Sequence, residues 1–170
     1  PKACRRAEEE GIKVIYGNGL DEKTLLRAEI DTRLGAMGPS SNEEVNLLFG
    51  TKAKEIGKLS VILVGIKSMA DGITSEMVKE ISGRIPFGRQ CDIEQWAGWI
   101  QRGVTSINRY SLTSPATNNN FQYGTEGVIL PLVLHRKSKS QPIDDTTEIK
   151  AGDEVTMIMN NQREKEALEW

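Results

Sequence analysis

The sequence predicts an α/β protein: an open parallel sheet flanked by helices, then a small β-rich α+β module. Three observations carry this. The first half alternates helix and strand patterns, the order expected of right-handed βαβ crossovers. Ser60–Ile66, "SVILVGI", is continuously apolar and β-branched, as a strand covered on both faces must be. Beyond about residue 88 the pattern changes to one tryptophan-bearing helix and then runs of strand-forming residues separated by turn signals.

Each element has a local reason. Lys2–Glu10 reads as a helix with Ala3, Cys4 and Ala7 inward and Gly11 as its stop. Ile12–Tyr16 reads as a strand. Asp21 is placed to cap a helix over Glu22–Ala28. Leu34–Met37 reads as a short strand closed by Gly38-Pro39. Ser41 and Glu44 fit a capping box, opening a helix with Val45, Leu48, Phe49, Ala53 and Ile56 at helical spacing and Gly57 at its end. Thr74 caps a helix containing Met77, Val78 and Ile81, and Arg84–Phe87 is a weak strand. Asp92 caps a helix with Ile93, Trp96, Trp99 and Ile100, and Thr105–Leu112 follows as a strand. Ser111–Gly124 is polar and rich in turn formers, a loop or linker. Gly127–Arg136 is a strand in which Pro131 demands an edge or a bulge. "RKSKSQP" is a basic loop, Ala151-Gly152-Asp153 a turn and Glu154–Met159 a strand. Gln162–Trp170 reads as a terminal helix. The expected organisation is 1–88, a partial parallel α/β domain; 89–124, a helix, strand and linker or dimerisation region; and 125–170, the β-rich module.

Composition excludes several classes. With 170 residues, 38% hydrophobic and 27% charged, the chain is globular. A net charge of −2 from 22 basic and 24 acidic residues gives no general attraction to nucleic acid or an anionic membrane. Cys4 and Cys91 lie far apart, without a CxxC and with one histidine, which argues against a disulfide framework or zinc site and fits a reducing cytosol. The longest apolar runs are too short to span a bilayer, and no signal peptide is visible. The chain begins at Pro1 and runs straight into a charged helix, so it reads as a piece of a longer protein.

The candidate chemistry is sparse. Gly17-Asn18-Gly19 follows a strand and precedes a helix, as phosphate loops do. It lacks the G-x-G-x-x-G spacing, and an acidic cap at Asp21 opposes a phosphate. Ligands of open parallel sheets nevertheless sit beyond the carboxyl ends of the strands, which places Gly17–Gly19 and Met37–Gly38 on one rim. His135 has no nucleophile or orienting acid beside it and reads as a half-exposed strand residue. Cys91 lies beside Arg89 before a helix, where a lowered thiol pKa is conceivable. Trp96 and Trp99 share a helix face suited to a core or a partner subunit. Lys137 and Lys139 read as a solvated hairpin tip. No acid–base pair, metal site or nucleophile assembles.

Two stretches resemble a known family. "CRRAEEEGIKVIYGNGLDEKTLLRAEID" resembles the middle of the regulator-of-potassium-conductance domains, the TrkA-type nucleotide-binding domains, with Ala7, Gly11, Gly17, Leu25, Ala28 and Ile30 matching. "NEEVNLLFGTKAKE" resembles the next family helix through Asn42, Asn46, Leu47 and Ala53. "VILPLVLHRKSKSQPIDDTTEIKAGDEVTMIM" is similar to the companion TrkA-C module through Arg136, Pro142, Gly152 and Asp153. Residues 69–100 look like the cytosolic tails of bacterial sodium(cation)/proton antiporters.

The resemblance implies a Rossmann-like parallel sheet, N-terminally incomplete, followed by a TrkA-C-like module. It implies a regulatory rather than catalytic protein: a homodimer at the inner face of the cell membrane, attached to a cation transporter for K+ or Na+/H+ exchange. Ligand-dependent dimer rearrangement would gate transport. NAD(H) or an adenine nucleotide is the implied ligand of the intact protein, with Gly17, Asn18, Gly19, Met37, Gly38 and Asn42 on its adenosine side and no nucleic acid involved. Two departures stand out: the glycine-rich first turn and the acidic residue after the second strand are absent, and Asn18 stands where the family often has Asp. The competing readings are a nucleotide-dependent oxidoreductase fragment, supported by the sheet alone, and a non-binding oligomerisation domain, supported by the tryptophan helix.

Overall fold

A computed structural model describes residues 2–68, 72–114 and 128–162. The chain forms α1 (Lys2–Glu9), α2 (Glu22–Arg27), β1 (Gly35–Gly38), α3 (Glu43–Ile56), β2 (Val61–Val64), α4 (Ser75–Glu80), α5 (Ile93–Gln101), β3 (Thr105–Ser111), β4 (Ile129–Arg136), β5 (Lys139–Pro142) and β6 (Glu154–Asn160). The fold is mixed α/β, with a parallel sheet in the first half and an antiparallel one in the second.

The parallel sheet pairs β1 with β2 from Gly35↔Val61 to Gly38↔Val64. Arg84 extends it beyond β2 through a parallel bridge to Leu63. Ile62, Leu63 and Val64 are all buried, as their unbroken apolar run requires. One hydrophobic cluster joins Ile62, Val64, Ile66, Ile73, Val78 and Ile85, with Leu47 and Ile81 against it. Another joins Leu25, Ile30 and Ala53 under Phe49, Ile56 and Leu59. Helix α3 lies very close to the sheet. A Cβ at Gly50 would come within 3.2 Å of Ile62 Cγ2, and one at Gly38 within 3.1 Å of Asn46 Cα.

Three expectations for this half are corrected. Ile12–Tyr16 forms no strand; a strand needs a neighbour to satisfy its backbone, and this segment pairs with none among the described residues. Ile12 and Tyr16 stay exposed. The capping box does not form: Asn42, not Ser41, caps α3 by accepting from Val45 N at 2.9 Å. The first strand is shifted by one residue, to Gly35–Gly38.

In the second half the strand order is β3-β6-β4-β5, antiparallel throughout. β3, expected beside a linker, is one edge strand of this sheet. Pro131 sits where β4 has β6 on one side only, and the register shifts between Pro131 and Val133. A residue with no N–H is tolerated there because no ladder bond is required of it. The basic loop is corrected in part: after a two-residue turn at Lys137-Ser138, Lys139–Pro142 pairs with β4 as β5. Leu134, Ile143, Ile149, Val155 and Met157 form the core on one side. Cys91, Trp96, Leu130 and Ile158 form that under α5, where Trp96 and Trp99 meet edge to face at 5.0 Å.

The two halves are joined through residues 84–92. Phe87 and Gly88 both have positive φ, turning the chain sharply. Phe87 N donates to Ile143 O at 2.7 Å, Cys91 N to Ile66 O at 2.7 Å, and Asp145 N to Ile85 O at 3.0 Å. Arg84 pairs with the buried Asp144 at 2.9 Å. The loop expected at Ser111–Gly124 and the terminal helix expected at Gln162–Trp170 lie largely outside the described residues.

Candidate functional site

A cleft of about 220 Å³ opens at the carboxyl end of β1. It is lined by Asn18, Gly19 and Leu20 on one wall, Met37 to Ser40 at the strand end, and Val45, Asn46 and Phe49 of α3. Every lining residue is uncharged, and most are apolar. The walls follow from local sequence. Asn18 Oδ1 accepts from Leu20 N at 3.0 Å, closing the turn after Gly17. Asp21 then caps α2 by accepting from Thr24 N at 3.1 Å. Val45, Asn46 and Phe49 share one face of α3, as their spacing dictates.

Asn46 fixes the back of the cleft. It is 1% exposed, and its amide is fully used. Nδ2 donates to Ser40 O at 2.8 Å and Gly65 O at 2.9 Å, while Oδ1 accepts from Ser40 N at 2.9 Å and Ser40 Oγ at 2.6 Å. A buried amide with all four hydrogen bonds made holds its surroundings in one arrangement.

Of the six residues implied on the adenosine side, Asn18, Gly19, Met37 and Gly38 meet in this cleft. Gly17 and Asn42 stand outside it. Gly17 lies against Thr24, where a Cβ would come within 2.7 Å of the threonine side chain; Asn42 is used in capping α3. Leu20, Pro39, Ser40, Val45, Asn46 and Phe49 were not foreseen in this role. Three of these are legible as the i, i+1, i+4 face of α3; Leu20, Pro39 and Ser40 flank foreseen residues.

The remaining candidates sit in structural settings. His135 Nδ1 lies 2.7 Å from Ser140 Oγ and Nε2 2.8 Å from Thr156 Oγ1, on the sheet surface. For Cys91 the expectation of a lowered pKa is corrected: burial pushes the thiol up to about 12, and Arg89 offsets this only in part. No cluster of metal-ligating side chains occurs among the described residues, and no helix among them is long and apolar enough to cross a membrane.

Residues 1–80, which hold this whole cleft, match the TrkA-N domain family. The match covers just under half of the chain. No curated protein matches the chain. Among solved structures it is similar to the GsuK RCK domain (12% identity, 92% of this chain and 37% of that one, TM-score 0.38). It is also similar to the GsuK channel (12%, 99% and 33%, 0.41) and the GsuK channel bound to NAD (14%, 90% and 30%, 0.34). The chain therefore spans about a third of the length of these proteins.

Proposed function

We propose that the chain is the ligand-sensing, cytosolic part of a cation transport system, and that its TrkA-N cleft takes the adenosine half of NAD(H) or of another adenine nucleotide. The observation that carries this is the uncharged cleft at the carboxyl end of β1, which gathers four of the six residues that the family resemblance implies for an adenosine. A flat base fits against Leu20, Val45 and Phe49. Asn18, whose Nδ2 has no partner among the described residues, offers a donor to the base or ribose edge. With no cation on the walls, phosphates would extend outward rather than bind here.

In this reading the units divide near residue 88, where the chain turns, and the antiparallel unit acts as the TrkA-C-like companion that passes the signal to a transporter. A homodimer at the inner membrane face, serving K+ or Na+/H+ transport, completes the proposal. Gating requires that ligand bind two arrangements with different affinity.

Calorimetry with adenosine tests the site. Saturable heat is expected, little affected by salt because no charge is matched. Val45→Glu places a carboxylate in the cleft at a half-exposed helical position and should abolish that heat while leaving the melting temperature unchanged. Absence of heat with wild type, or equal heat with the variant, overturns the reading.

A further inference from the structure

The first turn of α3 touches both the cleft and the route to the second unit. Asn46 holds Ser40, on the cleft rim, and Gly65, just past β2. One turn earlier, the Glu43 carboxylate accepts from the backbone N–H groups of Lys67 and Ser68, the latter at 2.7 Å. The stretch thus gripped, Gly65 to Ser68, is itself bonded to the second unit. Ile66 O accepts from Cys91 N at 2.7 Å, and Lys67 Nζ pairs with Asp92 Oδ2 at 2.9 Å. Asp92 is the cap of α5, accepting from Gln95 N at 3.0 Å. The Lys67 ammonium and Gln95 N–H hold the Asp92 carboxyl below its usual range, Lys67 contributing most.

We infer that Glu43 and Asn46 form a relay by which occupation of the cleft is felt at the start of the tryptophan helix α5. Its use as a ligand relay rests on the nucleoside reading; the mechanical link does not. The physical reason is saturation. Asn46 is buried with every hydrogen bond made, so an occupant that moves Ser40 leaves it no water to turn to. The displacement passes to Gly65, and from there along two residues to contacts with Cys91 and Asp92. Glu43 makes this stretch move with α3 rather than independently of it.

Hydrogen exchange on the whole chain tests the link without ligand. Glu43→Ala removes an exposed acceptor at the helix start and leaves the core intact. It should speed exchange at Gln95 and Trp96 by at least about threefold, although neither residue touches Glu43. Thr74→Ala removes the cap of α4 and controls for general loosening; it should leave those amides unchanged. Faster exchange confined to Lys67 and Ser68, or equal acceleration in Thr74→Ala, overturns the relay. With saturating adenosine, Gln95 and Trp96 should slow by about threefold in wild type and not in Glu43→Ala. Adenosine that binds both proteins and protects α5 equally also overturns it. If adenosine binds neither, the nucleoside reading falls, and the ligand-free comparison alone decides the relay.

Discussion

The two halves of this chain bury polar side chains for different ends. In the parallel half, Asn46 is saturated by groups that border an open cleft. In the antiparallel half, Asp144 and Asp153 accept from groups that close turns, and Asp144 also takes Arg84 from the first half. Asp144 accepts from Thr146 and Thr147 and pairs with Arg84. Asp153 takes both Arg136 nitrogens at 2.6 and 2.8 Å and Lys150 N at 2.7 Å. Asn46 thus braces the wall of an uncharged cleft, whereas Asp144 and Asp153 chiefly fasten loops, although Arg136 also lines a charged depression. The halves should accordingly separate by mutation, the second failing in stability and the first in binding.

The largest expected effect is on the second half. Ile143→Ala empties a 1% exposed position in the core beside the joint to Phe87, and should cost about 3 kcal/mol in urea unfolding. Adenosine affinity should be unchanged under native conditions. Next comes Arg136→Met, which leaves Asp153 buried without its cation. Arg136 is two-fifths exposed, so the urea midpoint should fall, but by less than in Ile143→Ala. Thr74→Ala, in the first half, removes an N-cap that accepts from Met77 N and should cost about 1 kcal/mol.

The acid response sharpens the same contrast. Arg136 beside Asp153 holds its carboxyl down at about 2, below the roughly 3.9 of an unfolded aspartate. A depressed carboxylate stabilises above the unfolded value, and that contribution is lost as pH falls from about 4 to about 2. Unfolding midpoints measured across this window should drop in wild type, and drop less steeply in Arg136→Met. The smallest effect on stability is that of Val45→Glu, close to zero, beside the loss of adenosine binding.

The sequence showed most where a local rule was enough. The caps at Asp21, Thr74 and Asp92, the doubly buried strand and the Pro131 bulge need only neighbouring residues, and they are as read. The misreadings at Ile12–Tyr16 and Cys91 depend on distant partners, and that at Ser41 on a choice between neighbours. Ile12–Tyr16 has strand composition but no strand beside it. Ser41 is outcompeted as a cap by Asn42. Cys91 sits beside Arg89, but burial against Trp96 and Leu130 outweighs that charge. In the cleft, Met37–Gly38 follow from the rule that strand ends of a parallel sheet gather on one rim; Asn18 and Gly19 reach it without a strand before them, and Gly17 does not reach it. Asn46 was visible only as a family-like position. Its role comes from reaching Ser40 and Gly65 at once, 6 and 19 residues away.

The central claim is that the uncharged cleft, not the charged surface, receives the ligand. The second half has its own larger depression of about 360 Å³ around Arg136, Lys137 and Lys139, the natural competitor for a nucleotide's phosphates. Amide chemical shifts of the chain titrated with adenosine and, separately, with AMP decide between them. The account predicts shifts at Asn18–Leu20 and Met37–Ser40 with both ligands. Shifts confined to Arg136–Gln141, appearing with AMP and absent with adenosine, would contradict it.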